Sequence, residues 1–336
     1  MDSITQIVLG AAVGEILLGR QLGNKALLLG AVGGTLPDMD VVYNIFSHDP
    51  IRQLEVHRSY SHSMFTHLVL AYPFAYFSNK WNKQHISTGK WYLFWFLAFF
   101  THALLDCCTT YGTQLFLPFT NYQVAFNNIS VIDPLYTIPF LIVLSCCLFI
   151  KRNNPLRRKF LWGSVFISSA YMLMTFAAKY VVHEKFKTSL ESDKLNYTEL
   201  NTTPTMLNAI LWCAIAYDDS TLYTAEYSFL KSNEKIQWIP YKRNLNSLTS
   251  FDSQSLNTIT WFSDGNYFVQ PSGTDTISFY NVKWGRMRFD ETEPDKAFFF
   301  YWKFYIDNHE IKYQEVRNED WKISEAFEML MKRIGV

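Results

Sequence analysis

The stretch WYLFWFLAFFTHALLD, residues Trp91–Asp106, decides how this chain is read. Trp91, Tyr92, Phe94, Trp95, Phe96, Phe99 and Phe100 crowd into ten residues. Water-soluble domains rarely carry such an apolar load. The run closes on a histidine and a carboxylate four positions apart, so His102 and Asp106 share one helical face, one turn apart. Burying a lone carboxylate at the end of so apolar a helix is costly, and Asp106 therefore needs a cation or a donor. A metal ion shared with His102 supplies one. A His–Asp hydrogen bond that holds the helix end is the plainer alternative.

Five more apolar runs flank this one: Ile4–Leu18, Leu22–Leu36, Phe65–Ser78, Pro134–Ile150 and Phe160–Val182. Crossing a bilayer takes about 20 apolar residues, a length only the last run clears with ease. The expected architecture is a membrane α-helical bundle of about four to six membrane-embedded helices over residues 1–182. A β-rich, water-compatible domain outside the membrane follows over 183–336. Charge divides at the same place. Residues 1–182 hold 13 Lys/Arg and 8 Asp/Glu, whereas 183–336 hold 17 and 22. The two parts cancel, and neither carries the basic footprint of a nucleic-acid binder. The N-terminus lacks the basic region of a cleavable signal peptide, so Ile4–Leu18 is read as part of the mature protein.

If every run crosses, the loops after the first, third and fifth runs hold ten cations: Arg20, Lys25, Lys80, Lys83, Lys90, Lys151, Arg152, Arg157, Arg158 and Lys159. The loops on the opposite side hold only Arg52 and Arg58. The positive-inside bias then puts the first set in the cytoplasm and the N-terminus and 183–336 outside. Cys107, Cys108, Cys146 and Cys147 form two adjacent pairs read as small buried hydrophobes, and Cys213 stands alone, so no disulfide framework is expected. In the second part, Leu207–Tyr217, Thr276–Tyr280, Ala297–Ile306 and Ile311–Val316 read as strands. Trp261-Phe262 and Tyr267–Val269 read as a hairpin around Asp264-Gly265. Ser324–Ile334 reads as a closing helix.

Ionisable groups inside a membrane bundle are functional candidates. Besides His102 and Asp106, two stretches fall on the expected outer side. In Pro37-Asp38-Met39-Asp40, two carboxylates reach one cation together if the backbone is extended; a solvated helix end is the plain reading. In His57-Arg58-Ser59-Tyr60-Ser61-His62-Ser63, a loop that enters a helix capped by Ser61 lets His57 and His62 converge. His67 reads as a core or supporting histidine. Arg58 matches an anionic, phosphate-like substrate bidentately, or a lipid headgroup. Asn127-Asn128 to Asp133-Pro134 reads as a loop and helix cap or as a substrate-facing patch. Gln6 lies near the outer face, pointing toward the site, and Glu15 lies deeper in a buried hydrogen bond. Asp38, Asp40, His57, His62, His102 and Asp106 together suit zinc, manganese or iron better than calcium. They outnumber what one tetrahedral zinc needs. Two ions, or one ion with spare acid/base groups, fit that count. No nucleophile elbow, Walker loop, HExxH or paired CxxC is present.

The opening Met1-Asp2-Ser3-Ile4-Thr5-Gln6-Ile7-Val8-Leu9-Gly10-Ala11, the step Leu36-Pro37-Asp38-Met39-Asp40, His57-Arg58 with Ser61-His62-Ser63, and Thr101-His102 with Asp106 resemble the YdjM-type family of predicted membrane-bound metal-dependent hydrolases. The resemblance is strongest over roughly the first 130 residues, and the β-rich tail resembles an extension found in one branch of that family. Many members carry His where this chain has Gln6. The family is distantly similar to the all-helical zinc-dependent phospholipases C and single-strand nucleases. That similarity implies a bacterial inner-membrane hydrolase acting on a phosphoester or lipid-like substrate. On this reading Asp40, His57, His102 and Asp106 are metal ligands, with zinc the first choice. His62 is a further ligand or a general acid, Asp38 a ligand or the general base, and Arg58 the group that steadies the substrate. The outer domain covers the site or recognises a partner. Two alternatives stand beside it: a non-catalytic metal-binding membrane protein, such as a sensor or an envelope assembly factor, and a transporter with a midplane site.

Overall fold

A computed structural model describes residues 1–82, 85–288, 291, 293–298, 300–317 and 323–336. Lys83, counted among the loop cations, and Phe299, inside the expected strand 297–306, lie outside the described residues. The chain forms two compact units, Met1–His48 with Glu55–Phe176, and Asp49–Leu54 with Ala177–Val336.

All six apolar runs are helical. Helix α1 spans Ser3–Leu22, and the Asp2 carboxylate caps it by accepting from the Thr5 N–H at 3.0 Å. Gly23, at φ +58°, turns the chain into α2, Asn24–Thr35. The two helices touch backbone to backbone, because a Cβ on Gly10 would lie 2.2 Å from the Gly30 carbonyl oxygen and one on Gly14 2.1 Å from that of Ala26. Small residues that allow such approach are typical of helix pairs in membranes. Two short helices follow, α3 (Tyr43–Phe46) and α4 (Pro50–Val56). Next come α5 (Met64–Trp81), α6 (Thr88–Cys107), α7 (Pro134–Phe149) and α8 (Pro155–Ser192).

Among the described residues, α1 and α8 are long and apolar enough to cross a bilayer. The sequence reading counted four to six embedded helices. The difference lies in length and composition: α2 and α7 have 12 and 16 residues, and α5 and α6 mix amphipathic Tyr and Trp rings with polar ends. One core of this unit gathers Val8, Ala12, Leu105, Tyr136, Phe140 and Leu161. A second gathers Ala71, Ala75, Trp91, Phe94, Ala98 and Phe99. Glu15 meets Arg157 in a bidentate pair, Nε to Oε1 and Nη2 to Oε2 both at 2.6 Å. That pairing accounts for the deep carboxylate and removes Arg157 from the solvated loop cations.

The second unit holds two antiparallel four-stranded sheets. The first runs β1 (Glu199–Pro204), β2 (Leu211–Tyr217), β3 (Thr221–Ser228) and β4 (Ile239–Lys242) in sequence order. The second runs β5 (Tyr267–Pro271), β6 (Thr276–Asn281), β7 (Phe300–Asp307) and β8 (Glu310–Arg317). Helices α9 (Gln254–Ser263), α10 (Pro294–Ala297) and α11 (Ile323–Ile334) complete it. The expected hairpin at 261–269 is not one. Trp261 and Phe262 belong to α9, which buries Leu256, Ile259 and Phe262 on one face and is capped by Ser253. Asp264 and Gly265 do take positive φ, as a tight hairpin turn requires, but they end a helix instead of joining two strands. This unit begins at residue 177, six residues before the expected boundary, and recruits residues 49–54. Val182 and Phe186 pack with Trp212, and Ile51 packs with Phe251, Phe279 and Trp302.

Candidate metal centre

Four chain segments of the first unit deliver the site. Pro37 opens a 3₁₀ segment, Leu36–Val42, that carries Asp38 and Asp40. The backbone there is helical, not extended as expected. Residues 57–62 form a loop ending in a 3₁₀ turn, Tyr60–His62. The last turn of α6 carries His102 and Asp106, and the first turns of α1 carry Gln6.

The ligand atoms of Asp38, His62, His102 and Asp106 all lie within 4.8 Å of one another. Asp38 Oδ1 is 3.4 Å from His62 Nε2 and 3.3 Å from His102 Nε2. Asp106 Oδ2 is 3.1 Å and 3.5 Å from the same two nitrogens, which are 3.1 Å apart. Atoms bound tetrahedrally about 2.0–2.1 Å from a zinc ion sit about 3.3–3.4 Å from each other. The observed separations are the edges of such a cage.

Hydrogen bonding around the cage aims its lone pairs inward. The His102 Nδ1–H donates to the Gly34 carbonyl at 2.6 Å. The Ser61 hydroxyl donates to Asp40 Oδ2 at 2.7 Å and leaves its oxygen to accept from His62 Nδ1–H at 2.9 Å. Each ring therefore turns an unprotonated Nε2 toward the same point, an arrangement that repels unless a cation or proton lies between. Asp106 Oδ2 is buried and has no hydrogen bond, although His62 and Arg58 approach within ion-pair distance. Its other oxygen is occupied by Gln6 Nε2 at 2.9 Å and by the Met1 amino group. A buried carboxylate oxygen with no donated hydrogen, beside two converging imidazoles, fits a divalent cation.

A second group, Asp38, Asp40 and His57, shares Asp38 with the first. The His57 Nδ1–H donates to Asp40 Oδ1 at 3.0 Å, and the Arg58 backbone N–H donates to Asp40 Oδ2 at 2.9 Å. Arg58 holds a left-handed backbone, φ +58°, to do so, a strain that persists where the surroundings over-determine it. Burial raises the affinity of Asp38 for a proton; where a proton lies on the facing Nε2 atoms, the His102 and His62 contacts outweigh that and hold the carboxyl below the usual carboxylate range. At Asp40 burial is likewise outweighed, by His57 first. Exposure separates the groups. The His62, His102 and Asp106 side chains are closed off, whereas Asp38 and His57 keep 24% and 27% of their side-chain surface.

Arg58, expected to face a substrate, is buried. Its Nε lies 3.2 Å from Asp106 Oδ2, its Nη1 donates to Thr109 Oγ1 at 2.9 Å, and its guanidinium covers the Tyr111 ring. Ser61 does not cap α5; Ser63 does, accepting from the Thr66 N–H. His67 joins neither ligand group and donates from Nε2 to the Ser61 carbonyl at 2.7 Å, propping the segment that positions His62. Gln6 does point at the site. Asn128 donates to Thr175, and Asp133 caps α7 and accepts from Tyr171, so both lie in the fold's framework. Sequence reasoning missed Gly34, Ser61 as a relay, Thr109 and Tyr111. Gly34 sits two residues before Leu36-Pro37, and Thr109 and Tyr111 lie three and five residues after Asp106, so nearness to the motifs was the only signal.

Residues 1–182 match the family described as YdjM inner membrane protein. The chain belongs to that family. The match covers the helical region and every residue of the cage. The chain is also similar to the "Uncharacterized protein YfhP" of Bacillus subtilis (strain 168), with 28% identity over 162 residues. That alignment covers 43% of this chain and 46% of the relative, so the chain spans less than half of the curated relative it matches. No solved structure matches it. In this YdjM-family protein the cage is thus built within the family region, and the sheets of the second unit lie beyond it.

Proposed function

We propose that this YdjM-family protein is a multi-pass inner-membrane hydrolase whose cage holds a divalent metal, with zinc the best fit. The reading is carried by one observation: two imidazole nitrogens 3.1 Å apart each stand 3.1–3.5 Å from two carboxylate oxygens, with no hydrogen bond on Asp106 Oδ2. Two nitrogens and two oxygens suit zinc, with manganese or iron as poorer fits. When bound, the ion supplies Lewis acidity and makes water acidic near neutral pH. The chain's own residues do the rest. Gly34 and Ser61 fix the imidazole tautomers, and Arg58, Gln6 and Thr109 hold Asp106 and its helix end. Asp38, the partly exposed member, is the ligand placed to meet a substrate. A phosphoester, lipid or otherwise, is the proposed substrate class. Apolar faces support the embedding of more helices than α1 and α8, since Val69, Tyr72 and Phe77 on α5 and Ile138, Ile142 and Phe149 on α7 are exposed. The cation bias supports a site on the non-cytoplasmic side.

Closure of the cage favours a second reading. Four protein ligands leave no open position, as in structural zinc sites, and such a protein binds metal without turnover. Metal analysis of the full-length protein in detergent, paired with phosphodiester hydrolysis assays, tests both. One or more ions per chain with turnover supports the hydrolase, and ions without turnover supports the second reading. Metal-free wild type, or His102→Ala holding as much metal as wild type, overturns both.

A further inference from the structure

We infer that the site binds two divalent ions of unequal character, bridged by Asp38, and that the outer ion is the one open to substrate. The inference rests on the metal reading above and assigns what that reading leaves open. The six residues divide into two groups of mutually close ligand atoms, and Asp38 alone belongs to both. A carboxylate has two oxygens and can serve two cations at once, which the other members, each confined to one group, are not placed to do. The inner group supplies four ligands, three of them closed off from solvent. The outer group supplies three: Asp38, Asp40 and His57.

Coordination number then assigns the roles. Sites with four protein ligands are closed, whereas sites with three keep a position for water or substrate. The two most exposed side chains of the set, Asp38 and His57, both belong to the outer group. Asp40 is kept in place by three donors, the Arg58 N–H, the Ser61 hydroxyl and His57. Ser61 ties the two groups together, because the hydroxyl that fixes Asp40 also fixes the His62 tautomer. The inner ion is accordingly the slowly exchanging one that shapes the site, and the outer ion the exchangeable one.

Metal counting in the full-length, detergent-solubilised protein tests this. The protein is loaded with Zn²⁺, desalted, and its zinc per chain measured before and after brief EDTA treatment. The expected result is two ions per chain, falling to one after EDTA, and one ion in both His57→Ala and Asp40→Asn. Monodispersity on gel filtration checks that each variant is folded. Saturation at one ion in the wild type overturns the inference while leaving a one-metal enzyme standing. No zinc at all overturns the metal reading itself. Two ions retained by both variants, or none retained by variants that remain monodisperse, also overturns the inference, since either result denies separable sites.

Discussion

Replacing Gly10 with alanine tests how far helix packing reaches into the candidate metal centre. A Cβ at this position lands 2.2 Å from the Gly30 carbonyl oxygen and 2.8 Å from Gly34 Cα, all backbone atoms that no rotamer change can move. Carbon–oxygen contact begins near 3.5 Å, so α1 and α2 must part by about 1 Å. Overpacking of this kind costs about 1–3 kcal/mol. At about 2–4 °C per kcal/mol, the melting temperature in detergent falls by roughly 2–12 °C. The consequence at the site is larger. Gly34 also carries the carbonyl that accepts from His102 Nδ1 at 2.6 Å, and a shift of about 1 Å takes that bond past useful geometry. With the His102 tautomer released, zinc affinity falls by about 10–100-fold, read by competition against a fluorescent chelator. Gly89→Ala is the control. Nothing lies within 4 Å of its added Cβ, so it leaves affinity unchanged and stabilises the helix by about 0.5–1 kcal/mol. A Gly10→Ala protein that melts and binds zinc like Gly89→Ala refutes the argument.

Gln6→Leu removes the donor to Asp106 Oδ1; zinc affinity drops by about 10–100-fold in the same competition assay, with little change in melting temperature. Glu15→Gln leaves the buried Arg157 without its counter-charge and costs about 3–5 kcal/mol, whereas the double change Glu15→Leu/Arg157→Met recovers most of that, as thermal unfolding in detergent will show. In the second unit, Tyr313 donates to Asp49 Oδ1 at 2.5 Å, so Tyr313→Phe destabilises that unit by about 1.5 kcal/mol. Burial first and Asp49 second push the Tyr313 hydroxyl up to about 12. A raised pKa means this contribution is full below the ordinary tyrosine value near 10 and is lost as pH rises through about 12, so wild type and Tyr313→Phe converge in stability at alkaline pH.

The helices were legible because their signal is local. A run such as Trp91–Cys107 announces itself by composition, and Asp2, Ser87 and Asp133 cap helices where their side chains favour it. The His102–Asp106 pair was legible for the same reason, since spacing on one helix fixes the face. What was not legible depends on contacts between distant segments. Arg58 shows this best. Its chemistry permits a bidentate anion contact, but in the fold it sets Nε beside Asp106 Oδ2 and donates Nη1 to the Asp106 backbone carbonyl, 48 residues away, and no feature near position 58 names that partner. The missed helix α9 is a different failure. Leu256, Ile259 and Phe262 behind a Ser253 cap carry a helical period, and the Asp264-Gly265 turn signal drew the reading to a hairpin because both structures use left-handed residues. Strands β1 and β3 went unread because Thr, Asn and Glu interrupt their apolar pattern, and β4 because its four residues include Pro240 and Lys242.

The pairing of Arg58 with Asp106 also bears on what the site attracts. Asp38, Asp40 and Asp106 set three negative charges against the guanidinium of Arg58 and the Met1 amino group, with both cage imidazoles neutral at Nε2. The negative charge left over is costly in a pocket this enclosed. One divalent ion outweighs it within the closed cage. On the proposed two-ion reading, a second ion adds two further positive charges next to the exposed edges of Asp38 and His57, and that excess is what would draw an anionic phosphoester. Arg58 therefore contributes to anion binding without touching the substrate, because its buried charge spares the metals from neutralising Asp106 in full. The preference for an anionic substrate and the need for the exchangeable ion are on this account one electrostatic requirement.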